Sequence, residues 1–448
     1  MSDLLYQRFR SVLQSLSLKP QQQIVIALGG GADSQTILDC AMRYRQQHPG
    51  HRYLAVHLDH SFHPDSAAWS QTIEKAAQVY GIETLFEPLA VATEGQSKEA
   101  AGRERRYQRL QQLSDDDAVI LLGQHRNDQI ETFLLQLNRG SGPKGLSAMA
   151  EVRDWHQQRR LVRPLLSISK DDIYRYAEQH QLVWIEDETN YDTRIERNFL
   201  RHEVVPLLEQ RWPQFGDSVL RSARLCAEQQ QVLEQLLDRQ LQQQLIEHPL
   251  LGNGLSVDSL RYQDEMLQRV SLRRWLEQSM TPGDRLPSYQ QLEQIRLQAL
   301  QSRADSQATI DCTNYQVRLY QMALWRTQPE QPLQNPLKPT AAGWFTLPAP
   351  WGKVYLNEAL IAGHPVEISS ESPPGRLQHI KRQGRKTILD WLKQAGVPAW
   401  LRRSAPMVKV GDELLWLPIV GWLHVSAQAP VSLAALQPVE PLWSGAVD

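Results

Sequence analysis

Cysteine is nearly missing from this chain. Its 448 residues hold three, Cys40, Cys226 and Cys312, and none forms a C-x-x-C pair. That spacing disfavours a zinc ribbon, an iron–sulfur site or a disulfide framework, and fits a reducing compartment. Long apolar runs are missing too. The start, Met1-Ser-Asp-Leu-Leu-Tyr-Gln-Arg-Phe-Arg, has no apolar signal core, and no run is long enough to span a bilayer. The expectation is a soluble cytoplasmic protein without a membrane partner. Charge of one sign is also missing: the formal net charge is −2, so local distribution must decide whether a nucleic acid binds. No internal repeat is evident. What is present is length and apolar content, 41% hydrophobic over 448 residues, enough for two to three domains with packed cores.

The chain is organised around Ile24–Ser34. A β-branched run, Ile-Val-Ile-Ala-Leu, stops at Gly29-Gly30-Gly31 and a helical pattern opens with Ala32-Asp33-Ser34. A strand, a tight turn and a helix N-terminus leave backbone N–H groups and the positive helix end facing outward. Three consecutive glycines are more than a turn needs and favour close approach of an anion such as phosphate. Asp33 is either an N-cap or a carboxylate holding Mg²⁺ against phosphates; Ser34 is placed to donate to a phosphate oxygen.

Further strands are expected at Tyr53–Asp59, Glu83–Leu89, Ala118–Gly123 and Leu161–Leu165. Helices are expected between them, at Asp65–Tyr80, 97–113, from about 124 to Leu137, and at Ser169–His180. The alternation predicts an α/β domain with a parallel, Rossmann-like sheet, whose ligand sits beyond the carboxyl ends of the strands. The composition changes near residue 215. Residues 217–246 read as one long amphipathic helix, helical patterns continue to about 302, and Ala308–Trp325 alternates like strands. A Pro-rich linker, Pro329–Pro339, precedes short strands and turns. The expected domains are therefore 1–215 (α/β), 216–328 (mainly helical) and 340–435 (small α+β).

Several polar groups fall where the first strand delivers its turn. His57, Asp59 and His60 end the second strand. Glu99, Arg103 and Arg106, with Tyr107, share a helix. His125-Arg-Asn-Asp128-Gln-Ile-Glu131-Thr follows the fourth strand, with Asp128 and Glu131 three apart on one helix face. Carboxylates in a first turn are also favoured by the helix dipole alone. Arg139-Gly-Ser-Gly-Pro-Lys-Gly145 is a basic loop, and Asp187–His202 is arginine-dense, with Arg197 and Arg201. Between 376 and 403, eight basic residues face only Asp390, a local excess of +7, with Trp391 and Trp400 interleaved. Basic residues mixed with aromatics suit an RNA backbone and unstacked bases.

Gly29-Gly-Gly-Ala-Asp-Ser34 resembles the pyrophosphate-binding loop of the PP-loop (N-type) ATP pyrophosphatases. Glu99-Ala-Ala-Gly-Arg-Glu-Arg-Arg-Tyr107, His125-x-x-Asp-Gln-x-Glu-Thr132, Arg139-Gly-Ser-Gly, Arg163-Pro-Leu-Leu166, Asp187-x-Thr-Asn190 and Arg197-Asn-x-x-Arg201 follow in order. Together with Gly384-Arg-Lys and Val397-Pro-x-Trp-Leu-Arg402, they are similar to the tRNA(Ile)-lysidine synthetase family. The resemblance implies adenylation by ATP, with Mg²⁺, of C2 of the wobble cytidine in a CAU-anticodon tRNA(Ile). The ε-amine of L-lysine then displaces AMP. It implies nucleotide contacts from Gly29, Gly30, Gly31, Ala32, Asp33, Ser34, His57 and His125, a metal ligand in Asp33, and catalytic roles for Asp33, Asp128, Glu131, Arg103 and Arg106. It implies tRNA contacts from Arg139, Arg197, Arg201, Arg385, Lys386, Arg402 and Arg403. Two departures stand out. Gly29 replaces the family's loop serine, and Asn127 stands where an Asp is common. They leave open another PP-loop tRNA-modifying enzyme or a weakened, non-catalytic tRNA-binding homologue. Monomer or homodimer also stays open.

Overall fold

The computed structural model describes residues 2–59, 65–89, 98–281, 283–301, 308–329, 333–363, 365–411, 414–424 and 442–444. His60 lies outside the described residues, as does the side chain of Glu99. Two compact units divide the chain, Met1–Val232 and Leu233–Asp448. Among the described residues no helix is long and apolar enough to cross a membrane.

The first unit runs α1 (Ser2–Ser15), β1 (Gln23–Leu28), α2 (Ala32–Gln47), β2 (Arg52–Asp59), α3 (Ser66–Gln78), β3 (Glu83–Pro88), α4 (Lys98–Leu113), β4 (Val119–Leu121), α5 (Arg126–Asn138), α6 (Pro143–Leu146), β5 (Val152–Trp155), β6 (Arg159–Val162) and α7 (Lys170–Gln179). Its sheet has the order β3-β2-β1-β4-β6-β5 and is parallel except for β5 against β6. Successive strand residues point to opposite faces. Ile24 and Ile26 of β1 join Phe9, Leu13, Ile37 and Tyr176 in one core; Val25 joins Val56, Leu110, Ile120 and Leu161 in another. With both faces covered by helices, the strands read as continuous apolar runs, which is why they were legible. Truncating a residue such as Ile26 to Ala should cost about 2–5 kcal/mol.

The last strand differs from expectation. It spans Arg159–Val162 rather than Leu161–Leu165, because Arg163-Pro164 ends it and proline has no N–H for a ladder. The antiparallel partner β5 was not expected. It is half polar, and its turn places His156 and Gln157 at positive φ without a glycine to announce it. After α7 the chain makes a 3₁₀ turn (Glu188–Tyr191), α8 (Glu196–Phe199), a π turn (Leu200–Val204) and α9 (Val205–Arg211).

Helix α10 (Phe215–Gln242) crosses the division between the units. The helical pattern expected to 246 and beyond stops at Gln242. Leu245–His248 (β7) instead pairs antiparallel with Gly252–Ser256 (β8). Pro249 interrupts any helix there, and at Gly254 a Cβ would sit 2.6 Å from the Trp325 ring. Then follow α11 (Val257–Arg261), α12 (Glu265–Gln278), α13 (Tyr289–Gln301), β9 (Thr309–Asp311), β10 (Gln316–Tyr320) and β11 (Ala323–Thr327). The sheet β7-β8-β11-β10-β9 shares a core with the helices through Leu255, Trp275, Ile295 and Leu319. The rest of the second unit holds a six-stranded antiparallel sheet, including Leu377–His379, Arg385–Lys386 and Gly421–His424, around Trp391, Val408 and Leu415. The two sheets meet at Gly396, whose carbonyl accepts from Tyr320 Oη (3.0 Å) and His248 Nε2–H (3.2 Å).

Candidate active site

The glycine turn lies at the carboxyl end of β1, flanked by β2 on one side and β4 on the other, where the connections change direction. Its three glycines are not equivalent. Gly30 has φ +95°, and a Cβ there would fall 2.9 Å from Ile73 Cδ1. Gly29 has nothing within 4 Å of its Cβ position. Gly31 caps α2 in an extended conformation without a side chain to help. Ser34 braces the turn: its Oγ accepts from Gly30 N and donates to Gly31 O, both at 3.0 Å. The hydroxyl proton expected to reach a phosphate is thus used within the loop. The Gly30 carbonyl accepts from Ile185 N (3.0 Å), which draws the segment after α7 over the turn.

Asp33, in the first turn of α2, borders three adjoining cavities. One of about 230 Å³ is lined by Gly29, Ser34, Arg103, Arg106 and Arg197. A second, about 350 Å³, takes in Gly29–Gly31, His57, Asp59, Trp69 and Asn190. The third, about 270 Å³, is lined by His125, Asp128, Lys170, Tyr174, Glu186 and Arg201, among others. Burial pushes the Asp33 carboxyl up from its ordinary value; His125 works against this and the neighbouring Asp128 with it. Gly123, after β4, makes this placement possible, since a Cβ there would lie 2.7 Å from Asp33 Oδ2. In the sequence Gly123 reads only as a strand end. A second glycine at a second strand end, opposite the first turn, was the available signal.

His125 caps α5. Its Nδ1 accepts from Asn127 N (3.2 Å), and Asp128 Oδ2 accepts from His125 N (3.0 Å). The carboxylates expected to act on substrate are engaged with an arginine. Arg201, on the π turn, donates through Nη2 to Asp128 Oδ1 (3.1 Å) and through Nε to Glu131 Oε1 (2.6 Å). Glu131 is 1% exposed, its Oε2 has no hydrogen-bond partner, and burial pushes its carboxyl up against the pull of Arg201. Arg201, expected as a tRNA contact, is held by these two carboxylates and also lines the third cavity. Asp128 still borders the open cavity.

His57 is likewise committed. Its Nδ1 bonds Leu28 O and its Nε2 bonds Ser70 Oγ, each at 3.0 Å, and burial lowers its pKa, so it is a neutral brace on the cavity wall. Arg163 is 3% exposed and holds Gln124 Oε1 (3.2 Å) and Ala150 O (2.8 Å), fixing the segment after β4. Arg103 lies over Tyr107, 5.4 Å from its centroid. Arg139 closes the far end of the thirteen-residue α5, about 20 Å from the cavities. In the second unit Arg385 and Arg403 are exposed. Lys386 donates to Gln394 Oε1 (2.8 Å) above Trp391, and Arg402 Nε donates to Val397 O (2.8 Å).

Chemically, the first unit offers a phosphate-sized turn, a carboxylate suited to a hard cation, arginines beside both, and a third cavity of mixed charge with three carboxylates, Asp33, Asp128 and Glu186. Residues 3–208 match the PP-loop domain, residues 255–325 the TilS substrate binding domain, and residues 366–432 the TilS substrate C-terminal domain. The chain is 53% identical to the tRNA(Ile)-lysidine synthase of Idiomarina loihiensis, over 99% of this chain and 97% of that protein. It is 35% identical to the enzyme of the same name from Vibrio cholerae, over 91% and 92% of the two chains. Against that of Escherichia coli O157:H7 it is 35% identical, over 89% and 92%.

Proposed function

Since the chain belongs to the tRNA(Ile)-lysidine synthase family, we propose that it uses ATP to join L-lysine to C2 of the wobble cytidine of CAU-anticodon tRNA(Ile). The cytidine is first adenylated with loss of pyrophosphate, and the lysine ε-amine then displaces AMP. The observation that carries this reading is the convergence on Asp33 of a phosphate turn, an arginine-lined cavity and a cavity that holds Asp128 and Glu186. No observation favours a thiolase or a non-catalytic homologue.

The glycine turn and the α2 N-terminus hold the ATP phosphates through backbone N–H groups. Mg²⁺ fits Asp33. The carboxyl is set deep beside a second carboxylate, an arrangement relieved by a cation. Among the described residues no group of three or more His, Cys, Asp or Glu side chains forms a cage, and Mg²⁺ at phosphates ordinarily needs only one or two carboxylates. When bound, the ion neutralises charge on the phosphates. Arg103, Arg106 and Arg197 line the same cavity and meet the charge that builds as the cytidine carbonyl attacks the α-phosphate. Asp128 orients the lysine ammonium and takes its proton. Glu131 is sealed from the cavity by Arg201 and acts by holding that arginine in place. Among the C-terminal basic residues, Arg385 and Arg403 are free of the bonds that occupy Arg402, and serve tRNA binding. The test is incubation with ATP, Mg²⁺, labelled lysine and the CAU-anticodon tRNA(Ile) transcript. Label should enter RNA only when all four are present; label entry without ATP, or none at all, overturns the reading.

A further inference from the structure

The 3₁₀ turn Glu188–Tyr191 is built with more care than an exposed loop requires. Asp187 Oδ1 accepts from Thr189 N (2.9 Å) and Thr189 Oγ1 (2.7 Å). Asn198, 6% exposed, donates from Nδ2 to Thr189 O (3.0 Å) and Asp192 O (3.1 Å), locking the turn from below. The side chain at the end of this turn is nonetheless exposed: Tyr191 keeps 65% of its surface. Its ring is stacked on His202 at 5.2 Å and 27° between planes. The His202 ring is held in turn by Nε2–H donating to Asn190 O at 2.9 Å. One face of Tyr191 is therefore covered by a fixed ring, and its exposure leaves the other to solvent. Both rings line the cavity that contains Asp33, Asp128 and Arg201, and Arg197, on the adjoining cavity, follows six residues later.

A pinned aromatic face beside arginines and a reaction-sized cavity suits a nucleobase. Every base has a π-face, and single-stranded RNA loops are read by stacking splayed bases on aromatic side chains. We propose that the open face of Tyr191, backed by His202, stacks a pyrimidine unstacked from the RNA loop and so aims it into the cavity beside Asp33. Tyr191 and His202 are positioning residues for the base. This proposal rests on the reading above for the identity of the RNA. Nothing in it requires the tyrosine hydroxyl, so the ring alone matters.

The test uses the full chain and a CAU-anticodon tRNA(Ile) carrying a fluorescent cytidine analogue, quenched by stacking, at the wobble position. Wild type and Tyr191→Phe should both quench it on binding. Tyr191→Ala should lose the quench and raise KM for tRNA by about tenfold or more, with KM for ATP unchanged. A quench retained in Tyr191→Ala, or a KM effect confined to lysine, overturns the proposal, the second because the ring would then serve the amino acid. A wild type that quenches the analogue yet incorporates no lysine into unmodified tRNA supports the stack and sinks the functional reading.

Discussion

Helix α2 carries two aspartates six residues apart, and their surroundings have little in common. Asp39, 8% exposed, is fully employed: Tyr80 Oη donates to its Oδ1 (2.9 Å) and Tyr176 Oη to its Oδ2 (2.5 Å). Arg43 Nη1 donates to the Tyr176 hydroxyl (2.9 Å) and lies over the Tyr6 ring. This network ties α2 to α7 and to the end of α3, the walls of the site. Asp33, in the first turn, faces three cavities with a second carboxylate nearby. Residue type and helix are the same; what separates structure from function is that side-chain hydroxyls hold Asp39, while Asp33 has only backbone N–H groups and opens on the cavities.

That comparison breaks or holds in the laboratory. Asp33→Asn should lower lysine incorporation by about 10²–10³-fold, the loss typical of one electrostatic contact to the transition state. It should also raise Tm, because burial holds the Asp33 carboxyl above its ordinary range. The sign follows from proton binding. Between 3.8 and the raised value the folded state binds more protons than the unfolded, so stability falls as pH rises through that window. Lower Tm in Asp33→Asn would show that the carboxylate is structural after all. Arg201→Met should strand Glu131 and cost about 3–5 kcal/mol in urea unfolding, part of it recovered by adding Glu131→Gln. Additive losses in the double variant would dissolve the pair. Asp39→Ala should cost about 2–4 kcal/mol, since the buried Tyr176 hydroxyl and the partly buried Tyr80 hydroxyl lose their acceptor, while turnover per folded molecule stays within about threefold of wild type, well short of a lost electrostatic contact. A large drop in turnover there would erase the distinction between the two aspartates. In the pH profile, activity should decline toward acid on a limb above 3.8, set by Asp33 and unmoved by Asp39→Ala. The smallest effect is expected from Gly29→Ser, which meets nothing within 4 Å and adds one donor near phosphate. Its KM for ATP should fall by a factor of about ten at most, roughly one hydrogen bond.

The same contrast explains what was legible in advance. Strands β1, β2 and β4 are buried on both faces, so composition alone betrays them. Strand β5 and the hairpin β7–β8 are half polar, and their alternation is too short to outvote neighbouring helical patterns. Asp33 and Asp128 could be singled out because a glycine turn and a helix start mark them locally. The engagement of Arg201 with Glu131 could not, since the two residues are seventy positions apart and either alone reads as a solvated charge. Ser34 and His57 sit at the turn and the strand end that the sequence predicts, but their bonding to the protein rather than outward is a matter of tertiary neighbours. Tyr191 and His202 lacked any pattern, because stacking across a π turn has no fixed sequence spacing.

The turn after β1 also has a meaning for the route by which such a loop changes over generations. Gly30 and Gly31 are closed positions: the first has a backbone that side chains rarely adopt, and at both a Cβ would strike a neighbour within 3 Å. Gly29 is an open one, and half of the glycine codons lie a single nucleotide from serine. The loop is thus a lock with two frozen tumblers and one that turns, and its mutational future runs through Gly29 alone.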